Sequence, residues 1–93
     1  MTPTLPSEAF AAKGPPPGEI DGKPVRDVMA VVAFTFPFNM SGHPASSVRA
    51  GLTDGGLPAG LQIVAERHRE DLVLQASFAY EQARPWQDKW PEI

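Results

Sequence analysis

The sequence predicts an α/β unit: a β-hairpin that feeds a larger sheet, then one packed helix, with a Pro/Gly-rich loop in front. Three observations carry this expectation. The stretch "TDGGLP" holds an Asp-Gly-Gly turn signal between two segments of strand character. Residues 71–84 repeat apolar side chains at helical spacing. Eleven prolines in 93 residues, roughly twice the usual share, confine regular elements to short pieces.

Residues 1–24 read as mostly irregular. "KGPPPGEIDGKP" cannot sustain a helix or a central strand, because each proline removes a backbone donor and each glycine adds chain entropy. Pro15–Pro17 has the composition of a ligand for a proline-binding module. A surface loop explains it better, since no second proline or Arg anchor sits at ligand spacing. Asp27–Phe34 is apolar and short, and periodicity alone does not separate a helix from a buried strand there. A helix that breaks before Pro37 is the expectation. A second turn around Phe38, Asn39 and Met40 should end at Gly42.

The hairpin is expected over residues 45–66, with Ala45–Gly51 and Gly60–Glu66 as its arms. In the second arm Leu61 and Ile63 face one side and Gln62 and Val64 the other, so apolar groups lie on both faces. Such a strand belongs inside a larger sheet, covered twice. Asp71–Arg84 is the clearest helix. Leu72, Val73, Ala76, Ala79, Tyr80 and Ala83 form its stripe, while Leu74 and Phe78 form a second apolar edge that calls for a second packing partner. Glu70 and Asp71 suit the positive end of the helix, Arg84 lies in its last turn, and Pro85 stops it.

Bulk properties exclude several functions. A net charge of −3 provides no basic field for nucleic acid or an anionic membrane. The absence of cysteine removes disulfides, thiol nucleophiles and Cys-ligated zinc, and fits a cytoplasmic protein. The longest apolar run, Val28–Phe34, is far short of the ~20 residues of a membrane span. "MTPTLPSEAF" lacks the basic and apolar regions of a signal peptide. Apolar residues make up 42%, which argues against general disorder.

No motif assembles a catalytic, metal or cofactor site. Ser46 and Ser47 are flanked by Ala45 and Val48, which make a strand rather than an amide-lined turn, so no oxyanion hole is expected beside them. His43 and His68 stand 25 positions apart and neither has an i+4 partner, which disfavours a metal. His68 belongs to the charged run Glu66–Asp71, most simply a solvated strand-to-helix connection. Gly55, Gly56 and Gly60 do not form a phosphate loop, since neither the lysine nor the following helix of that motif is there. Trp86 and Trp90, beside Pro85 and Pro91, form an aromatic tail better explained by packing on the helix end than by binding.

"FTFPFNMSGHPASSVRAG" followed by "DGGLPAGLQIVAERHREDLVLQASFAYEQARPW" closely resembles the C-terminal end of the amidase signature family. Thr35, Pro37, Asn39, Gly42, Pro44, Ala45, Ser47, Val48 and Gly51 match the family pattern T-x-P-x-N-x-x-G-x-P-A-x-S-V-P-x-G, with Arg49 standing where the pattern has Pro. Gly56–Pro58 and Gly60–Gln62 match its G-L-P-x-G-L-Q strand, with Ala65 in place of the glycine that follows. "TPTLP" and "IDG", at residues 2–6 and 20–22, also resemble family segments, so the likeness spans nearly the whole chain. The resemblance implies a mixed sheet and the C-terminal portion of an amidase domain, here residues 1–93. Family members hydrolyse or transfer carboxamide groups with a Ser-cisSer-Lys triad set in a Gly/Ser-rich signature. That signature has no counterpart here, and Lys13, Lys23 and Lys89 lie in loops or the tail.

The expectation is therefore a C-terminal scaffold that is inactive alone and binds the remainder of an amidase core, or itself. A small-molecule amide would be handled only by the full-length enzyme, without cofactor, nucleic acid or membrane. Alternatives are a small complementing subunit that docks on a separately encoded core, or an independent small binding protein. In the family, glutamine-dependent tRNA amidotransferase subunits place an acidic residue three positions before the threonine that aligns with Thr35. Here that position is Val32, and the resemblance thus implies an enzyme for neutral or aromatic amides.

Overall fold

The computed structural model describes residues 1–92. Its largest sheet has the strand order β1-β5-β4, all antiparallel, from Thr2–Pro3 (β1), Ala45–Leu52 (β4) and Pro58–Val64 (β5). A two-stranded ribbon, Glu19–Ile20 (β2) with Lys23–Pro24 (β3), stands apart. The helix Glu70–Ala83 (α2) packs mainly on β4.

The Pro/Gly loop is thus not wholly irregular. Asp21 and Gly22 take left-handed φ values of 52° and 72°, which two-residue hairpin turns demand and which Asp-Gly supplies at low steric cost. The segment after it also departs from expectation. Instead of one helix over Asp27–Phe34, a 3-10 turn runs Val28–Val32, its N-terminus capped by the Asp27 carboxylate, which accepts from the Met29 N–H at 2.9 Å. The helix Phe36–Ser41 (α1) then takes Pro37 into its first turn. Proline belongs there because first-turn N–H groups have no intrahelical partner to lose. Gly42, at φ 76°, ends α1 as expected and returns its N–H to the Phe38 carbonyl.

In the hairpin, the 53–57 turn closes through the Thr53 N–H to the Leu57 carbonyl at 2.8 Å, with Gly56 at φ 80°. Register runs Ala45↔Val64 through Arg49↔Gly60, then slips so that Gly51 opposes Ala59. Ala50 is therefore a bulged residue outside the ladder. The Tyr80 hydroxyl of α2 donates to its carbonyl at 3.4 Å.

α2 turns a different stripe to the sheet than apolar spacing suggests. Val73 is buried, Ala76, Ser77 and Tyr80 are half-buried, and Leu72, Ala79 and Ala83 are exposed. The helix is rotated because its inner face carries a polar residue: Ser77 Oγ donates to the Val73 carbonyl at 2.6 Å and lies 2.7 Å from Ser46 Oγ on β4. Arg84 is the residue that ends the helix rather than part of its last turn. The core is small. Among the described residues the buried apolar side chains are Val31, Ile63 and Val73, while Leu74 and Phe78 are 68% and 66% exposed.

Candidate functional site

A concavity rich in hydroxyl groups lies where β1, α1 and the hairpin meet. It is an open pocket of about 360 Å³ lined by Thr4, Thr35, Asn39, His43, Ser46 and Ser47, with Gln62 at its base. The family-pattern residues Thr35 and Asn39, from α1 and its N-terminal cap, and Ser47, from β4, converge here.

Gln62 organises this region. It sits on the central strand and is 3% exposed, yet its side-chain nitrogen has two acceptors. Nε2 donates to the Phe34 carbonyl at 2.7 Å and to the Thr2 hydroxyl at 3.0 Å. One buried amide thereby ties the N-terminal strand and the segment before α1 to β5. Leaving it unpaired in a buried site would cost the full desolvation of the group. Strand alternation marks Gln62 only as part of one face; the further signal is a polar residue between apolar neighbours in a strand covered on both sides.

Gly60 permits the next contact. The Thr4 N–H donates to the Gly60 carbonyl at 3.0 Å, and the Thr4 and Ser47 hydroxyls meet at 2.7 Å directly above it. A Cβ at residue 60 would lie 2.6 Å from Thr4 Oγ1 and 2.8 Å from Ser47 Oγ, so only glycine fits beneath this pair. Thr35 closes the turn preceding α1, its hydroxyl donating to the Val32 carbonyl at 3.1 Å.

Ser46, Ser47 and His43 each have a hydrogen-bond partner within the fold. Ser47 pairs with Thr4 and Ser46 with Ser77, hydroxyl to hydroxyl. His43 lines the same pocket, but its Nδ1 is 2.7 Å from the Ser41 hydroxyl and its ring meets Phe38 edge-on at 6.4 Å. A serine becomes a nucleophile when a base takes its proton, and here neither hydroxyl is paired with one. His68 lies exposed in the strand-to-helix connection. Among the described residues no group of three His, Cys, Asp or Glu side chains could hold a metal. In that connection Arg69 donates from Nε and Nη2 to the two carboxylate oxygens of Asp71, at 2.9 and 3.0 Å. This forked hydrogen bond holds the Asp71 carboxyl below its usual range and raises Arg69. Gly55 and Gly56 belong to the hairpin turn and Gly60 to β5, so no helix follows them to receive a phosphate.

The relatives of this chain give its class. The amidase family model matches residues 1–74, and the chain belongs to the amidase signature family. An acylamidase from Rhodococcus erythropolis is 41% identical over 91 residues, covering 98% of this chain and 19% of that enzyme. A glutamyl-tRNA(Gln) amidotransferase component from a Cyanothece species is 42% identical over 93 residues, covering all of this chain and 18% of that protein. A bacterial aryl acylamidase of the amidase signature family superposes with a TM-score of 0.78 at 36% identity, over 97% of this chain and 20% of that one. A 6-aminohexanoate cyclic dimer hydrolase gives 0.75 at the same identity and coverage. The chain thus spans about one fifth of the length of these relatives and corresponds to their C-terminal portion.

Among the described residues no helix is long and apolar enough to cross a membrane.

Proposed function

We propose that this chain is the C-terminal scaffold of an amidase that hydrolyses carboxylic amides to acid and ammonia, with the Ser-cisSer-Lys machinery residing outside these 93 residues. The observation that carries the reading is the alignment of almost the entire chain, at about two-fifths identity, with enzymes five times as long. The arrangement of the hydroxyls supports it: Ser46 and Ser47 serve as cross-element hydrogen-bond partners, and alone they have no base to activate them.

The scaffold's task is positional. Gln62 and the Thr4–Ser47 pair lock the N-terminal strand and the turn before α1 onto β5, which fixes Val32 and Thr35 relative to the sheet. In the complete enzyme that turn would form an apolar part of the substrate wall, with Val32 offering no charge to an ammonium group. A buried ammonium without a partner is costly, so a neutral or aromatic amide is the favoured substrate class. A separately encoded core docking on the same exposed helix edge would use the chain in the same way. A cytoplasmic setting fits the cysteine-free sequence.

The test has two arms. The purified chain should hydrolyse neither glutamine nor a neutral aromatic amide. Co-expression with an amidase-family core that lacks the matching C-terminal region should restore amide hydrolysis. Turnover by the chain alone that disappears in Ser47→Ala would overturn the scaffold reading, as would a failure to bind or activate any such core.

A further inference from the structure

Further along the hairpin from the Thr4–Ser47 pair, and on the same face of it, the tail folds back against β4. Pro85 follows the end of α2, and the Lys89 N–H then donates to the Trp86 carbonyl at 2.8 Å, curling the tail into a turn. This turn sets the Trp86 and Trp90 rings edge to face, with centroids 5.7 Å apart and planes at 62°. Between them and the hairpin lies a groove of about 460 Å³, lined by Arg49, Leu52, Pro58, Trp86, Lys89 and Trp90. Its size falls within the range of small-molecule sites.

The chemistry of the groove is specific. Two cations, Arg49 from β4 and Lys89 from the tail, line it, and no acidic side chain does. Among the described residues neither cation makes a salt bridge, in a chain whose net charge is −3. Arg49 is half-buried on its strand, and it is the residue that replaces the proline of the family pattern. That replacement places a guanidinium fork beside an indole. A guanidinium matches a carboxylate in two parallel hydrogen bonds, and an ammonium adds a compact positive charge. Indole faces and edges take an aromatic ring.

We infer that this groove binds a small aromatic carboxylate, the ring against Trp86 and Trp90 and the carboxylate between Arg49 and Lys89. The site is separate from the Thr4–Ser47 pocket and does not depend on the chain's being part of an amidase.

The chain carries two tryptophans, both in the groove, so its indole emission reports on this site alone. Phenylacetate titrated into the chain should change that emission saturably. Benzyl alcohol, which has the ring without the charge, and acetate, which has the charge without the ring, should produce no saturable change over the same range. Arg49→Gln and Lys89→Gln should each weaken binding roughly three- to ten-fold, the usual scale of a charge-assisted hydrogen bond in a partly wet site. Added salt should weaken it further. If Arg49→Gln perturbs the strand, as far-UV circular dichroism would show, Lys89→Gln on the exposed tail decides. The inference fails if phenylacetate gives no saturable change, if benzyl alcohol matches it, or if Lys89→Gln binds as tightly as the unaltered chain.

Discussion

The side-chain amide of Gln62 reaches the Phe34 carbonyl at 2.7 Å, joining the central strand to the turn that precedes α1 across 28 positions of sequence. The same nitrogen reaches Thr2, 60 positions away. A single buried amide thus closes two long loops. Replacing Gln62 by Leu would retain apolar bulk and leave the Phe34 carbonyl and the Thr2 hydroxyl without that donor. The expected loss is about 1–3 kcal/mol, read from the urea midpoint of the assembled enzyme. A loss below about 0.5 kcal/mol, the scale of an ordinary surface substitution, would remove Gln62 from this role.

Gly60 is predicted to be intolerant of even one methyl group. The added Cβ would approach Thr4 Cβ to 3.0 Å as well as the two hydroxyls, so trimming a hydroxyl would not relieve the clash. Gly60→Ala should displace β1 and cost about 1–3 kcal/mol, as overpacking does. Hydrogen exchange gives a local readout: the Thr4 amide, bonded to the Gly60 carbonyl, should lose protection in the variant. Unchanged protection would mean that β1 stays in place.

The isolated chain is expected to self-associate. Leu74 and Phe78, one turn apart, are 68% and 66% exposed, and the buried apolar core of the described residues is confined to three side chains. An apolar edge of this kind seeks cover. Light scattering on the purified chain should give a mass that rises with concentration, and Leu74→Lys with Phe78→Glu should return it to the monomer value. A monodisperse monomer with a sharp cooperative melt would contradict the expectation.

In the complete enzyme, kcat/KM for a neutral aromatic amide such as benzamide should exceed that for glutamine. Overall identity does not decide this, since an acylamidase and an amidotransferase component match the chain about equally, at 41% and 42%. On the proposed reading Val32 distinguishes the two outcomes; its carbonyl accepts from both the Thr35 N–H and the Thr35 hydroxyl, at 3.0 and 3.1 Å. Val32→Asp should move the ratio toward glutamine by about ten-fold or more, the scale of one hydrogen bond to a charged group. Efficient glutamine hydrolysis by the unaltered enzyme would overturn the reading of Val32.

Elements with local causes are legible in the chain alone. The Asp-Gly-Gly turn set the hairpin, Gly42 ended α1, Pro85 followed the end of α2, and the ordered run from Thr35 to Gln62 identified the family. Gly42 and Gly56 are legible because a left-handed φ is a property of one residue. Whatever depends on distant partners is settled only by packing. Ser77 faces the sheet, against the apolar pattern, because Ser46 lies 31 positions earlier to pair with it. Ala50 can bulge because Tyr80 takes its carbonyl. Thr2–Pro3 is a strand, within a segment read as mostly irregular, because β5 offers an edge and Gln62 a hydrogen bond. Two residues have no propensity strong enough to announce a strand, and only closure of a 60-residue loop makes them one.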